Sequence, residues 1–315
     1  MYEMNIHISK NWKFFLIIFI LFNFKVMFFA EQSMKIPLEF ESHFLLNFTK
    51  AIKVSYPENF VKYGFDGEEQ LWFIDLSCGK EIKRFFYKYG RLLPKEKLSN
   101  WKNYNPLFTE FYPKEIPEPN EFSDIKIEYL KYLSLPENRD SYKPSSFTLV
   151  QNFLYKANSP KEVEPQIVTI EFLDWKVRVH NKIVEPLLNI DKKIRKLALT
   201  DSEVDKFLKM PTVITGYNWR EVRDNENRSS HSWGISIDIV PKKYGSKQIY
   251  WKWTQDFYGE GWITYPIKKR WIPPVKVISI FESEGFIWGG KWDIWDNMHF
   301  EYHPEILHLS KILVE

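Results

Sequence analysis

The sequence predicts an α+β protein in which a small antiparallel sheet packs on helices, and three stretches predict it. Gly234 to Val240 alternates Ile235, Ile237 and Ile239 with Gly234, Ser236, Asp238 and Val240, close to the period of two that marks a strand with one buried face. Met298 to Tyr302 sets Met298, Phe300 and Tyr302 against His299 and Glu301 in the same way. Between them, Pro273 to Glu284 opens on two prolines and stops before Gly285. That asymmetry belongs to a helix, whose first turn tolerates a missing N–H and whose end favours glycine.

In chain order, Lys10 and Lys13 precede an apolar run from Phe14 to Phe24, and Lys25 separates it from Val26 to Ala30. Residues 1–30 read as a secretory signal or as an uncleaved membrane anchor over residues 14–30. Either reading exports the remainder to the periplasm or cell envelope. Beyond residue 30 no apolar stretch approaches the ~20 residues that span a bilayer. The single cysteine, Cys78, excludes an internal disulfide and a cysteine-based metal site. With 44 basic and 41 acidic residues, the net charge of +3 argues against a nucleic-acid binder.

Residues 31–145 carry few motifs and read as a mixed, largely helical region of unassigned role. Glu39 to Ile52 and Gly79 to Tyr89 are expected helices, and Gln70 to Asp75 an expected strand. The prolines of Pro113 to Pro136 and the polar run Asp140 to Ser146 suggest long loops. Residues 146–210 read as a helical segment packing on the next domain. Phe172, Trp175, Val179 and Ile183 fall on one face of a helix over Glu171 to Glu185, with His180 inside it as a packing residue and Pro186 kinking or restarting it. Thr200 is placed to cap a helix opening at Asp201.

Residues 211–315 hold the chemistry. Pro211 to Gly216 is an expected strand. Asp238 faces away from the isoleucines, and His231 lies just before that strand after a polar loop. The loop can fold the imidazole back toward the carboxylate, and His299 supplies a second nitrogen. Catalytic zinc sites use three such ligands and keep one position for water, whose pKa falls to about 7. Asp296, three residues before His299, is placed to act as the base. Tyr244 to Arg270 forms an aromatic insertion between the two motifs, carrying Trp251, Trp253 and Trp262; most of its rings are expected in the core.

Ser229-x-His231-x-x-Gly234-x-x-x-Asp238, followed by Asp296-x-x-His299, resembles the signature of the zinc D-alanyl-D-alanine carboxypeptidase and L-alanyl-D-glutamate endopeptidase family. These enzymes cut peptidoglycan stem peptides and share their fold with the hedgehog signalling domain. The resemblance spans Thr212 to Glu305 and implies one Zn²⁺ per chain on His231, Asp238 and His299, with Asp296 as general base. The Asp form of the base, after Trp288-Gly-Gly-Lys-Trp292, is more similar to the endopeptidase and endolysin branch. Manganese and cobalt remain open as native metals. Where the family has Gly-Tyr-Arg, this chain has Gly216-Tyr-Asn-Trp-Arg220, so Arg220, with Arg223 in reserve, takes the expected electrophilic role. Ser229, Tyr217, Trp288 and Trp292 are the expected substrate-binding residues, and Glu301 the expected partner holding a ligand in place. His303 and His308 are expected at the surface or in C-terminal packing. The other class left open is a non-catalytic, zinc-stabilised envelope-binding module.

Overall fold

Helix α1 (Leu38–Ser55) sets Leu45, Phe48 and Ile52, three and four positions apart, on one buried stripe. The computed structural model describes residues 38–107, 112–135, 138, 143–220, 228–242 and 244–314. The N-terminal apolar run and Arg223 lie outside the described residues. Among these, no helix is long and apolar enough to cross a membrane.

After α1 comes a four-stranded antiparallel meander in the order β1 (Phe60–Asp66), β2 (Leu71–Cys78), β3 (Glu81–Lys88), β4 (Arg91–Leu93). The expected strand at Gln70 to Asp75 is part of β2. The expected helix over Gly79 to Tyr89 is instead β3, which corrects the largely helical picture of this region. Ile82, Phe85 and Phe86 are spaced as on a helix face, but the segment is a strand covered on both sides. Phe86 pairs with Phe73 and joins Leu93 and Leu98 on one face, while Phe85 pairs with Ile74 on the other. A two-residue turn with positive φ at Tyr89 and Gly90 closes β3 onto β4, the turn whose twist matches a hairpin.

Within Pro113 to Pro136, expected as loop, Asp124–Ser134 is helix α2. Ser123 caps it, its hydroxyl accepting from the Lys126 N–H at 3.2 Å, and the prolines flank the helix rather than interrupt it.

Helices α3 (Phe147–Leu154) and α4 (Pro160–Val163) precede a hairpin of β5 (Ile167–Phe172) and β6 (Trp175–His180). The long helix expected over Glu171 to Glu185 is therefore absent. Trp175, Val177 and Val179 alternate with Lys176 and Arg178, and Leu173 and Asp174 take positive φ at the hairpin turn. That period of two, reinforced by β-branched residues, prevails over the coincidental helical spacing. Helix α5 (Val184–Ala198) starts just beyond, with Pro186 in its first turn where proline is tolerated. Helix α6 (Ser202–Leu208) is capped by Asp201 rather than Thr200; the carboxylate accepts from the N–H groups of Glu203 and Val204.

The second sheet runs β7 (Pro211–Thr215), β8 (Ser236–Pro241), β10 (His299–Tyr302), β9 (Phe286–Trp288), all antiparallel. Ile237, Ile239 and Phe300 are buried on one face. Phe300 stacks on Phe281 of α8 (Val275–Ser283) with ring centroids 4.0 Å apart. Gly285, at φ 91°, ends α8 and turns the chain into β9. The aromatic insertion forms α7 (Trp251–Tyr258) and a core of Trp251, Trp262, Ile263, Tyr265 and Trp295 with Leu130 of α2. Helix α9 (Pro304–Val314) follows β10. Residues 45–315 form one compact unit.

Candidate metal centre

The strand register brings the first two candidate ligands together. Residue His299 of β10 pairs directly with Asp238 of β8, and Glu301 with Ser236. Directly opposed residues on one face stand about 5 Å apart at Cβ, and here His299 Nδ1 lies 2.8 Å from Asp238 Oδ1. The opposite face is the isoleucine and phenylalanine core, so a one-residue slip would bury both polar side chains in it. Packing thereby fixes the site.

The third candidate ligand arrives on a single 3-10 turn, Ser230–Trp233, ended by Gly234 at φ 69°. A Cβ at Gly234 would fall 2.8 Å from the His180 backbone nitrogen and 2.6 Å from Ile167 Cδ1, so hairpin β5–β6 presses on the backbone where only glycine fits. The His180 N–H donates to the Gly234 carbonyl at 2.8 Å. The Ser232 hydroxyl accepts from the Arg220 N–H and donates to the Arg220 carbonyl. Trp233 Nε1 and Arg228 both donate to Asn152 Oδ1 on α3. The loop carrying His231 is thus held from both sides.

Hydrogen bonding assigns the protons. His231 Nδ1 faces the Gly216 carbonyl at 2.6 Å and must donate to it, which leaves a lone pair on Nε2. That Nε2 is buried without a hydrogen-bond partner and sits 3.2 Å from Asp238 Oδ2. His299 faces carboxylates from both nitrogens, Nε2 toward Glu301 Oε2 at 3.1 Å and Nδ1 toward Asp238 Oδ1 at 2.8 Å; in the Nε2–H tautomer its Nδ1 lone pair points at Asp238. Two imidazole lone pairs and one carboxylate therefore converge, acceptor on acceptor, with donor atoms within 4.8 Å of one another. A cation resolves such a cluster, and tetrahedral zinc takes this donor set. Without one, a proton on His299 Nδ1 donated to Asp238 can. Burial lowers the pKa of His299, but the Asp238 and Glu301 carboxylates outweigh it and hold the pKa well above the ordinary range. Burial likewise raises Asp238, and the His231 and His299 imidazoles, when protonated, reverse it to far below normal.

Asp296 stands beside this cluster on a loop whose backbone is fully engaged. Its N–H donates to the Gly289 carbonyl at 3.0 Å, the flanking Asn297 N–H to Ile249, and Trp251 N–H to Trp295. Its carboxylate accepts the Met298 N–H at 3.2 Å. Burial, then the Asp238 charge, push its pKa up to about 7 against the pull of His299, Met298 N–H and Arg220. A carboxyl group held near neutrality next to a metal-ligand cluster is matched to proton transfer.

Among the other expected residues, Trp292 is partly buried with its ring 5.4 Å from that of His299. Trp288 is fully buried and donates from Nε1 to the Asn297 carbonyl at 3.0 Å; it faces the core, where it braces the Asp296 loop, rather than a cleft. Ser229 is buried and bonds through its backbone to Arg220 and Ser232. Its neighbour Ser230, overlooked in the sequence, puts its hydroxyl 3.3 Å from His299 Nε2. Tyr217 donates its N–H to Arg178 and carries the Arg178 guanidinium 5.1 Å over its ring. Arg220 is exposed, close enough to Asp296 to act on its charge. His303 is buried between Glu301 and Glu305, and His308 meets the Ser55 hydroxyl at 2.9 Å.

A family model described as D-alanyl-D-alanine carboxypeptidase matches residues 222–302. This match supports a peptidase at that coarse level, and the segment contains His231, Asp238, Asp296 and His299. A second family model, described as a domain of unknown function, matches residues 49–109, across the β1–β4 meander. No curated protein and no solved structure matches the chain.

Proposed function

We propose that this chain is a zinc-dependent peptidase, with a DD-peptidase-like domain, that hydrolyses peptidoglycan stem peptides. The observation that carries the proposal is the convergence of ligand atoms from His231, Asp238 and His299 within 4.8 Å of one another, beside an acid pushed up to about 7. Zinc held by these three residues would polarise the scissile carbonyl and the attacking water.

The chain's own groups do the rest. Asp296, ionised, takes a proton from the attacking water and returns it to the leaving amine. Arg220 supports the developing oxyanion from the open side. Trp292 walls the cleft next to His299, and Ser230 holds the ring edge on its outer side. Export through the N-terminal apolar run suits a wall polymer as substrate.

The test is to purify residues 31–315 of wild type and Asp296→Ala, quantify zinc, and analyse products from peptidoglycan fragments by mass spectrometry. Cleavage by wild type alone, with zinc in both proteins, is the expected result. Such a loss is about 10²–10⁴-fold for a general base. The product masses would also separate an L-alanyl-D-glutamate cut from release of a terminal D-alanine. One equivalent of zinc with no cleavage of any fragment would replace the enzyme by a zinc-stabilised binding module.

A further inference from the structure

Behind the three ligands, a line of buried polar side chains runs away from the cleft. Glu301 spans two imidazoles, with Oε2 3.1 Å from His299 Nε2 and Oε1 3.3 Å from His303 Nε2. His303 Nδ1 lies 2.6 Å from Glu305 Oε1, and Glu305 Oε2 accepts the Tyr56 hydroxyl at 2.7 Å. Tyr56 in turn meets the Tyr155 hydroxyl at 3.4 Å. Gln151 Nε2 lies 3.5 Å from His303 Nε2. Glu305 is 0% exposed, and His303, Tyr56 and Tyr155 are buried with it.

Such a line is an expensive way to fill space. Replacing a buried ionic cluster with apolar side chains of similar volume is commonly neutral or stabilising. Each member here also has a fixed role toward the next. Tyr56 donates to one oxygen of Glu305, and the other oxygen orients the His303 ring. The far nitrogen of that ring forms an ion pair with Glu301 Oε1 when the ring is protonated, while Oε2 faces His299 Nε2. The end nearest the ligand cluster is His299, with Nε2 toward Glu301 and Nδ1 toward Asp238. An imidazole ligand held by a carboxylate through its far nitrogen is the arrangement by which outer residues set the tautomer and basicity of a metal-binding histidine.

We infer that His303, Glu305 and Tyr56 are positioning residues of the metal centre. The inference rests on the proposal that His231, Asp238 and His299 bind zinc. It also gives a role to the N-terminal part of the chain. Tyr56 follows α1 within the segment matched by the model of unknown function, whereas His299 and Glu301 lie in the peptidase match. The residues joining them, His303 and Glu305, fall in neither. The two matched segments therefore meet through one line of hydrogen bonds and ion pairs, and the N-terminal segment completes the support of the ligand set.

The experiment compares zinc affinity, by competition with a chromogenic chelator, in wild type, Tyr56→Phe, Glu305→Gln and Asp75→Asn. The Co²⁺ d–d absorption spectrum is recorded for each. Asp75→Asn is the control, because it also weakens a buried carboxylate hydrogen-bond pair in the same N-terminal segment, with Arg84, inside the β1–β4 meander and off the line to the ligands. Outer-shell changes at metal sites cost about 10–100-fold in affinity. Glu305→Gln should weaken zinc by about 10-fold, at the low end of that range because it acts through two intermediates. Tyr56→Phe should weaken zinc measurably and shift the cobalt spectrum in the same direction, and the control should do neither. If Glu305→Gln does not fold, Tyr56→Phe decides alone. Wild-type affinity and a superimposable spectrum in Tyr56→Phe and Glu305→Gln would overturn the inference while leaving the zinc centre intact. A wild-type protein that takes up neither zinc nor cobalt would instead overturn the centre itself.

Discussion

Acidification should destabilise this protein through His180, a residue outside the metal centre. His180 is buried at the end of β6, where Nε2 faces the Tyr155 carbonyl at 3.1 Å and Nδ1 accepts the Lys182 N–H at 3.1 Å. Both nitrogens are satisfied in the neutral Nε2–H tautomer, and a second proton on Nδ1 would displace the Lys182 hydrogen bond. Burial, above all, lowers its pKa from the ordinary 6.5 to about 4, the Tyr155 carbonyl opposing and Lys182 assisting. The folded state therefore binds fewer protons than the unfolded state between those values. Its contribution is fully present above about pH 6.5 and is lost as pH falls toward 4. A fall from 6.5 to about 4, at about 1.36 kcal/mol per pH unit, amounts to about 3 kcal/mol. Urea unfolding of wild type and His180→Gln at several pH values between about 7 and 4 isolates the effect, because groups common to both proteins cancel. The wild type should lose stability more steeply, by up to about 1.4 kcal/mol per unit within that window. Parallel pH dependences in the two proteins would refute the buried neutral histidine.

Two further outcomes follow from the site. Because Asp296, pushed up to about 7, must be ionised to take a proton, the acid limb of kcat/KM should lie at or below about pH 7, zinc moving it further down. A limb well above 7 would give the proton transfer to another group. Trp288→Ala should cost about 3–5 kcal/mol in unfolding free energy, as for a large buried aromatic. Trp292→Ala should leave more of the stability intact and act mainly on KM, which chemical denaturation and steady-state kinetics separate.

The candidate ligand cluster was legible because each of its members sits within a short, self-consistent pattern. The alternation around Asp238 and His299 fixed which way both residues face, and the observed register puts them opposite each other. The helix ending at Gly285 was equally plain, since proline and glycine act locally. Strand β3 was not legible. Its two faces are both covered, so Phe85 and Phe86 adjoin instead of alternating, and adjacent aromatics imitate a helix stripe. Hairpin β5–β6 was missed for a related reason, Phe172 and Val179 lying seven apart by coincidence while the turn at Leu173 and Asp174 carries no glycine. Glu301 shares a strand face with His299 and was legible there, but the support beyond it was out of reach for any local pattern. Tyr56 and Glu305 are 249 positions apart, and nothing in the sequence around either announces the other.

The strand order of the second sheet also governs when the centre can exist. Strand β10 is the last of the four to be made, yet it lies inside the sheet, between β8 and β9. Until it inserts, β9 has no neighbour there, β8 presents an open edge, and Asp238 faces no imidazole across the ladder. Pairings so distant in the chain must overcome loop-closure entropy before they contribute, and they form late. Partly folded chains should therefore lack a high-affinity centre altogether, so that zinc capture during refolding becomes a clock for the final insertion step.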